Sequence, residues 1–258
     1  MTRIHSSAVI HPDVEIEDGA EVGPFTVIGE KVSIGKGTKV GAHVVIPGYT
    51  RIGENCRIFS FASVGEVPQD LKYQGEESWV IIGDNNIIRE FVTIHRGTAL
   101  GEGRTVLGNN NFLMDYVHVA HDCHIGNNVI LANGATLAGH IEIGDHAIIG
   151  GLSAIHQFVR IGAYAFIGGA SGIPQDVVPY VSAVGNRARL FGLNLVGLKR
   201  HNFSEETIRN LKRAYRLLFR SGLRLQEATA TIEEELGETP EVAHLLDFVR
   251  KSQRGILR

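Results

Sequence analysis

Residues 125–143 read IGNNVILANGATLAGHIEI, and every sixth residue from Ile125 onward is a large aliphatic one. The same spacing continues without a miss through residues 4–64, 82–94 and 107–173, with Ile, Val or Leu at each repeated position, here called a rung. A fixed short period is typical of β-solenoids, because a short strand buries its apolar face only when the next coil stacks on it. Three six-residue segments per coil would form a triangular prism of about nine coils. The repeat therefore predicts a mainly β, coiled architecture.

The rhythm breaks twice, in residues 66–81 and 96–106. Both stretches lack the aliphatic-glycine pattern, and the second adds one residue to the otherwise exact spacing of the rungs. Because a regular scaffold does not need long loops, loops that project from it are usually functional. We therefore expect two excursions from the prism, and we expect them to border the functional site.

The C-terminal part of the chain has a helical pattern. Apolar residues recur there every three or four positions, as in amphipathic helices. Ser204 is predicted to cap a helix that ends near Gly222, because a serine side chain can accept a hydrogen bond from the first turn. Further helices are predicted over residues 225–236 and directly after Pro240, and a shorter one over residues 188–200. We assign residues 1–186 to the β prism and residues 187–258 to a small α-helical domain.

Composition narrows the class of protein. No apolar run approaches the roughly 20 residues of a membrane span, and the N-terminus has no signal pattern, so we expect a cytoplasmic protein without a membrane span. The two cysteines, Cys56 and Cys123, are expected to be buried thiols in a reducing compartment. Residues 187–258 carry 14 Lys and Arg against 9 Asp and Glu, whereas residues 1–186 carry 11 against 19. This asymmetry favours an acidic partner for the helical part. Aromatic residues are not interleaved with the basic ones, so nucleic acid is not expected.

The densest polar cluster lies around one rung, in HVAHDCHIG at residues 118–126. Because three six-residue segments make one coil, Asp122 should lie directly below His140. His95 lies at the edge of the second excursion, and His156 lies about one coil beyond His140. Two chemistries remain open on these grounds: imidazoles that converge on a metal ion, and one imidazole that acts as a general base while a carboxylate orients it.

Six segments closely resemble the UDP-N-acetylglucosamine O-acyltransferase family of lipid A biosynthesis. They are GEVPQDLKYQGE (65–76), TIHRGT (93–98), HVAHDCHIG (118–126), LANGATLAGH (131–140), AIHQF (154–158) and GLNLVGLKRHNFS (192–204). The resemblance implies a left-handed parallel β-helix with a small C-terminal α-helical subdomain, assembled as a homotrimer with active sites between adjacent prisms. It also implies transfer of a 3-hydroxyacyl chain from acyl carrier protein to the glucosamine 3-hydroxyl of UDP-N-acetylglucosamine, with no metal and no cofactor.

The resemblance assigns roles to individual residues. His121 would be the general base, Asp122 would orient it, and the amide of Gly139 would help to stabilise the oxyanion. Gly169, which lacks a side chain, would allow a long acyl chain. Two further groups would bind the substrates: Gln69, Asp70, Lys72, His95, His118 and His140 at the sugar and thioester, and His156, Gln157, Asn194 and Arg200 at the nucleotide.

The chain departs from the family pattern at two positions on the nucleotide side. Val196 stands where the best-known members carry a Glu, and His201 stands where they carry a second Arg. The same chemistry on a 3-amino sugar nucleotide is therefore an alternative. More distant alternatives are a zinc lyase of the γ-carbonic anhydrase type, the N-acyltransferase that acts later in the same pathway, and a non-catalytic trimeric scaffold.

Overall fold

The computed structural model describes residues 1–258, and the repeat folds into a prism with three faces. In the regular region each strand pairs in parallel with the equivalent strand of the next coil, as His118 does with Thr136 and Thr136 with Ala154. Each coil therefore adds one strand to each face, and its rung residues point into a common core. Leu131 and Leu137 are fully buried there. The coiled prism predicted from the six-residue repeat is confirmed.

The strands are assigned to the faces by their pairing. The first face is an 11-stranded sheet of Arg3–Ile4, Glu21–Val22, Lys39–Val40, Arg57–Ile58, Ile87–Ile88, Phe112–Leu113, Ile130–Leu131, Ile148–Ile149, Phe166–Ile167, Val181–Val184 and Arg189–Leu193. The second face contains Val9–Ile10, Ser63–Glu66, Thr93–His95, His118–Val119, Thr136–Leu137, Ala154–Ile155 and Gly172–Ile173. The third face contains Glu15–Ile16, Trp79–Ile82, Arg104–Leu107, His124–Ile125, Glu142–Ile143 and Arg160–Ile161. Two strands, Val27–Ile34 and Val45–Ile52, bend from the second face into the third.

Three corners join these faces. In one coil, residues 132–135 form the first corner, from face one to face two. Residues 138–141 form the second corner, from face two to face three, as residues 120–123 do one coil earlier, and residues 144–147 form the third. The residue three positions after a rung adopts positive φ at most corners, including Asp122 at 58° and Tyr164 at 58°. This turn directs its side chain away from the core, so polar and aromatic residues at this spacing form columns along the edges of the prism.

Both excursions leave the prism at the second corner. Thr93 pairs with Ser63 on one side, across the first excursion, and with His118 on the other side, across the second. Both partners are further away along the chain than in a regular coil, where His118 pairs with Thr136. The remaining rungs stay in register, because the extra residues are accommodated outside the core. The two loops therefore project beside each other at one edge.

The C-terminal region begins with a strand rather than the expected helix. Residues 189–193 pair antiparallel with Val181–Val184, and only Leu195–Arg200 forms the short helix α1. The helix prediction for residues 188–200 is therefore wrong over its first half, because pairing with an exposed sheet edge outweighs the local helical pattern. Gly192 supports the strand, since its φ of 113° does not fit a helix.

Three further helices complete the chain: α2 (Glu205–Arg220), α3 (Leu225–Leu236) and α4 (Pro240–Arg250). Ser204 caps α2 as predicted, since its side chain accepts a hydrogen bond from the Thr207 amide. The C-terminal segment returns to the prism, where Ser252 Oγ donates to Asp176 Oδ2 over 2.7 Å and the Leu257 amide donates to the Asp176 carbonyl over 2.8 Å. Cys56 and Cys123 are buried free thiols. None of the helices combines the length and the apolarity that crossing a membrane requires.

Candidate active site

The histidine cluster lies at the second corner, beside the two excursions. Asp122 and His140 occupy equivalent positions one coil apart, and both have positive φ, 58° and 59°. Asp122 Oδ2 lies 3.8 Å from His140 Nε2, and the His140 amide donates to the His121 carbonyl over 3.0 Å. The expectation that these two residues stack on each other is confirmed.

His121 and Asp122 form a hydrogen-bonded pair. His121 Nδ1 lies 2.9 Å from Asp122 Oδ2, and the Asp122 side chain is only 2% exposed. Burial opposes ionisation of Asp122, but hydrogen bonds from His121 and from Thr98 outweigh it and lower the pKa of this carboxyl below its ordinary value of 3.8. An ionised carboxylate at Nδ1 places the ring proton there and leaves Nε2 free to accept a proton. This is the arrangement of an oriented general base.

The backbone of Gly139 packs against the His121 ring. A Cβ atom at this position would lie 2.5 Å from His121 Cε1 and 2.7 Å from Nε2. Any side chain there would therefore displace the imidazole from Asp122. The Gly139 amide makes no hydrogen bond within the chain, so it is available as a donor directly beside His121.

His118 and His95 form a second imidazole pair on the second face. Their ring centroids are 5.2 Å apart, and Thr93 Oγ1 lies 2.7 Å from His118 Nδ1. Burial, together with the neighbouring histidines His95 and His121, lowers the pKa of His118 to about 4. Burial also lowers the pKa of His95. Both rings are therefore neutral near pH 7 and can serve as hydrogen-bonding groups but not as cations.

The first excursion carries Gln69, Asp70 and Lys72, and of these Asp70 lies near His140. Asp70 Oδ1 accepts a hydrogen bond from the Lys72 amide over 2.9 Å, which forms a tight turn. The Asp70 carboxylate is close enough to raise the pKa of His140, but burial of His140 is the larger effect and the net shift is downward. Gln69 and Lys72 are exposed to solvent.

The predicted nucleotide-side residues divide between two corners. His156 and Gln157 lie at the second corner, where both are exposed and His156 Nδ1 lies 3.2 Å from the Gln157 carbonyl oxygen. Asn194 lies at the third corner instead, where Nδ2 donates to the Tyr164 carbonyl and Oδ1 caps α1 by accepting from the Gly197 amide, both over 3.0 Å. Arg200 is exposed at the last residue of α1.

The predicted acyl-length residue lies at the first corner. A Cβ atom on Gly169 would meet only the Gly151 backbone, with the carbonyl oxygen at 3.3 Å, and otherwise open space. Phe166 lies beside it on the first face and is partly exposed. One prism therefore brings together the dyad, the neutral histidines and the first excursion, whereas Asn194, Arg200 and Gly169 lie at its other edges.

Sequence reasoning missed Thr98. Its amide donates to Asp122 Oδ1 over 3.0 Å and to Oδ2 over 3.1 Å, and its hydroxyl donates to Oδ2 over 2.7 Å. Its only sequence signal is its place in TIHRGT, directly where the rungs break.

His121, Asp122 and His140 are also the one cluster whose ligand atoms could surround a metal ion, since these atoms lie within 4.8 Å of one another. Asp122 already accepts hydrogen bonds from His121 and Thr98. A metal ion would have to replace the 2.9 Å hydrogen bond that orients His121. The geometry therefore fits proton transfer better than metal coordination.

A triangular parallel β-helix with such a dyad at one corner defines a hexapeptide-repeat transferase. The model of the bacterial transferase hexapeptide repeat matches residues 13–48 and 104–139, and that of the second domain of UDP-N-acetylglucosamine O-acyltransferase matches residues 176–257. The chain is 63% identical over 256 residues to the acyl-[acyl-carrier-protein]–UDP-N-acetylglucosamine O-acyltransferase of Aquifex aeolicus, covering 99% of this chain and 98% of the relative. It is 56% identical to the enzyme of the same name from Thermodesulfovibrio yellowstonii, covering all of both chains.

A solved structure of LpxA from Acinetobacter baumannii superposes with a TM-score of 0.96 at 50% identity and covers 99% of both chains. The chain belongs to the UDP-N-acetylglucosamine O-acyltransferase family, and its fold is the left-handed parallel β-helix with a small helical subdomain that the resemblance implied.

Proposed function

We propose that this protein transfers a 3-hydroxyacyl chain from acyl carrier protein to the glucosamine 3-hydroxyl of UDP-N-acetylglucosamine, the first step of lipid A biosynthesis. The observation that carries the proposal is the His121–Asp122 pair, in which a 2.9 Å hydrogen bond joins Nδ1 of the imidazole to Oδ2 of the carboxylate. The relatives that match the full length of the chain are named for this reaction.

The dyad accounts for each proton in the reaction. His121 Nε2 takes the proton of the 3-hydroxyl as the oxygen attacks the thioester carbonyl carbon. Asp122 stabilises the imidazolium that forms, because it remains ionised beside Nδ1. The carbon–sulfur bond then breaks, and the thiolate of the carrier protein's prosthetic arm takes the proton from His121. The ester has formed, the base is regenerated, and neither a metal ion nor a cofactor enters the cycle.

Gly139 serves this reaction in two ways. Its missing side chain makes room for the His121 ring, and its amide, which makes no hydrogen bond within the chain, supports the tetrahedral oxyanion. A single such donor accounts for about 10²–10³-fold in the rate of acyl transfer in well-studied enzymes.

The neutral histidines suit the uncharged sugar hydroxyl and the thioester. His118 has a pKa of about 4 and so carries no charge near pH 7, and burial keeps His95 and His140 in the same state. We assign these three rings, together with Gln69, Asp70 and Lys72 on the first excursion, to hydrogen bonds with the sugar and the thioester. His156, Gln157 and Arg200 are assigned to the nucleotide.

We propose a homotrimer, because the assigned residues lie at different edges of one prism. The dyad is at the second corner, Asn194 bonds to Tyr164 at the third corner, and Gly169 lies at the first. A second prism packed alongside would place its own third or first corner against this dyad, which one chain alone does not do. Closed rings of identical subunits are a common solution for such heterologous contacts.

The basic side of helix α2 is assigned to acyl carrier protein. Arg209, Lys212 and Arg216 are exposed and have no ion-pair partner in the chain, whereas Arg213 pairs with Glu235. Unpaired cations on one helix fit an acidic partner and increase the rate of encounter. Together with the buried free thiols, these partners favour the cytoplasm as the compartment.

A 3-amino sugar nucleotide is the second candidate acceptor. His201 packs at the third corner, with its ring centroid 4.7 Å from that of His146 and 5.1 Å from that of Tyr164, and the adjoining Val196 is exposed. This nucleotide side lacks the Glu and Arg of the family pattern, and the dyad can deprotonate either acceptor.

The proposal is tested by incubating the purified protein with 3-hydroxyacyl carrier proteins of several chain lengths and with each acceptor, followed by mass spectrometry of the product. An ester on UDP-N-acetylglucosamine supports the proposal. An amide formed only on the 3-amino sugar nucleotide would show that this nucleotide is the acceptor instead. Absence of both products, with hydration of carbon dioxide that depends on bound zinc, would establish the lyase alternative.

A further inference from the structure

The second excursion encloses the carboxylate of Asp122. Thr98 is 2% exposed and reaches the carboxylate with both of its donors. Its amide donates to Oδ1 over 3.0 Å and its hydroxyl donates to Oδ2 over 2.7 Å. Oδ2 is also the atom that accepts from His121 Nδ1. Thr98 therefore shares an acceptor oxygen with the catalytic base.

The turn that carries Thr98 packs directly on the same group. The amides of Gly101 and Gly103 both donate to the Thr98 carbonyl over 3.1 Å, which closes the turn. A Cβ atom on Gly101 would lie 2.3 Å from Asp122 Oδ1 and 2.4 Å from Cγ. Glycine at position 101 is thus what lets the backbone approach the carboxylate this closely.

The first excursion anchors this turn. The Ala99 amide donates to Glu76 Oε1 over 3.1 Å, and the Gln74 amide donates to Glu76 Oε2 over 2.9 Å. The two loops are therefore joined next to Thr98. This contact holds the turn in place.

An unrestrained Asp122 would have a competing partner. His140 Nε2 lies 3.8 Å from Oδ2, and its ring is perpendicular to that of His121, with centroids 5.0 Å apart. A small rotation of the carboxylate would exchange one imidazole for the other. The short hydrogen bond from Thr98 opposes that rotation, because it would be lost or lengthened.

We infer that Thr98 is a positioning residue for acyl transfer, and that the second excursion holds the Asp122 carboxylate in the orientation that faces His121. This inference rests on the proposed function for its rate measurement only. No contact between Thr98 and a substrate is involved, so its effect on the reaction passes through Asp122 and His121.

The variant Thr98→Val tests the inference, since it keeps the side-chain shape and the amide but removes the hydroxyl. Hydrogen bonds to charged groups contribute enough to change a rate by about tenfold or more. We expect kcat to fall about tenfold while KM changes less than about twofold. Without the hydroxyl the carboxylate can turn toward His140, and it then stabilises the His121 imidazolium less. The acidic limb of the kcat profile should therefore move to lower pH, and Thr98→Ser should restore both the rate and the profile.

Thr105→Val is the matched control. Thr105 is also fully buried and near the excursion, but its hydroxyl has no hydrogen-bond partner. It should leave kcat and the pH profile unchanged. Equal losses in both valine variants would overturn the inference, because they would reflect packing alone, and so would an unchanged rate and profile in Thr98→Val.

A readout without turnover separates the inference from the proposed function. The nitrogen shifts of the His121 ring, followed by NMR against pH in the intact protein, should titrate at lower pH in Thr98→Val and should be unaltered in Thr105→Val. If the wild-type protein shows no acyl transfer, the proposed function fails while this titration still decides the role of Thr98. An unaltered titration in Thr98→Val would overturn that role.

Discussion

Asp122 and His140 lie one coil apart at the same corner of the prism, with Asp122 Oδ2 3.8 Å from His140 Nε2. Their backbones repeat the same left-handed turn, with φ of 58° and 59°. The coil that brings them together is a regular one of three six-residue segments, and on the adjoining strands it pairs His118 with Thr136. The core repeat thus determines which polar side chains meet at the surface.

Truncation of a rung should destabilise the prism. Leu131 is fully buried between Leu113 and Ile149 on the first face. We expect Leu131→Ala to lower the free energy of unfolding by about 2–5 kcal/mol, because neighbouring coils cannot collapse into the cavity. Urea denaturation at fixed protein concentration measures this. Leu71→Ala, which removes a fully exposed side chain on the first excursion, should change it by less than about 0.5 kcal/mol, and a similar loss in both variants would contradict the account of the core.

Acid should destabilise the fold through His118. Burial lowers its pKa to about 4 in the native state, whereas an unfolded histidine titrates near 6.5. As the pH falls through this interval, the unfolded state takes up a proton that the native state does not bind, so the free energy of unfolding decreases. Asp122 remains ionised over the same interval and adds no slope.

Denaturation of the wild type at pH 7.5 and at pH 5 should reveal this loss of stability. The variant His118→Asn, which can keep a hydrogen bond to Thr93, should show a smaller difference between the two pH values. An equal difference in both proteins would mean that His118 is not responsible.

A side chain at position 169 should shorten the preferred acyl chain. The space beside Gly169 is open apart from the Gly151 backbone, so Gly169→Met should fill it at the cost of a shift of a few tenths of an ångström in that backbone. Each methylene excluded from an apolar groove costs about 0.8 kcal/mol, or roughly fourfold in kcat/KM. We expect the chain-length optimum to shift toward shorter chains while activity with the shortest chain is retained. The profile is measured with a series of acyl carrier proteins, and an unaltered optimum would remove Gly169 from the groove.

The positive charge of α2 should affect the binding of acyl carrier protein and not that of the nucleotide sugar. Arg216 is exposed and unpaired, whereas Arg213 already pairs with Glu235. Exposed ion pairs contribute about 0.2–1 kcal/mol, so Arg216→Gln should raise KM for acyl carrier protein by about two- to fivefold at low salt. High salt should reduce the difference because it screens the charge.

The KM for the nucleotide sugar is the internal control and should not change. Arg213→Gln should have the smaller effect, because that cation is partly neutralised in the free protein. Identical KM values for acyl carrier protein in wild type and Arg216→Gln at low salt would mean that this helix does not bind the carrier protein.

The sequence was sufficient to predict the features that follow from periodicity. The rungs determine the coil, and the coil places Asp122 under His140. The sequence was not sufficient where the structure depends on the conformation of a loop or on the pairing of a free sheet edge. The contact of Thr98 with Asp122 depends on how a loop folds back, which no repeat encodes. The strand of residues 189–193 forms because Val181–Val184 offers a free edge, and Asn194 turned out to cap α1, a role that its motif did not indicate.

The central claim is that His121 is the general base of acyl transfer, and the rate of the His121→Ala variant tests it most directly. A general base contributes about 10²–10⁴-fold, so kcat should fall by that factor while circular dichroism and the size of the assembly remain unchanged. His124→Ala, which removes a half-buried imidazole from the same motif on the third face, should stay within about twofold of wild type. Turnover of His121→Ala within tenfold of wild type would contradict the assignment.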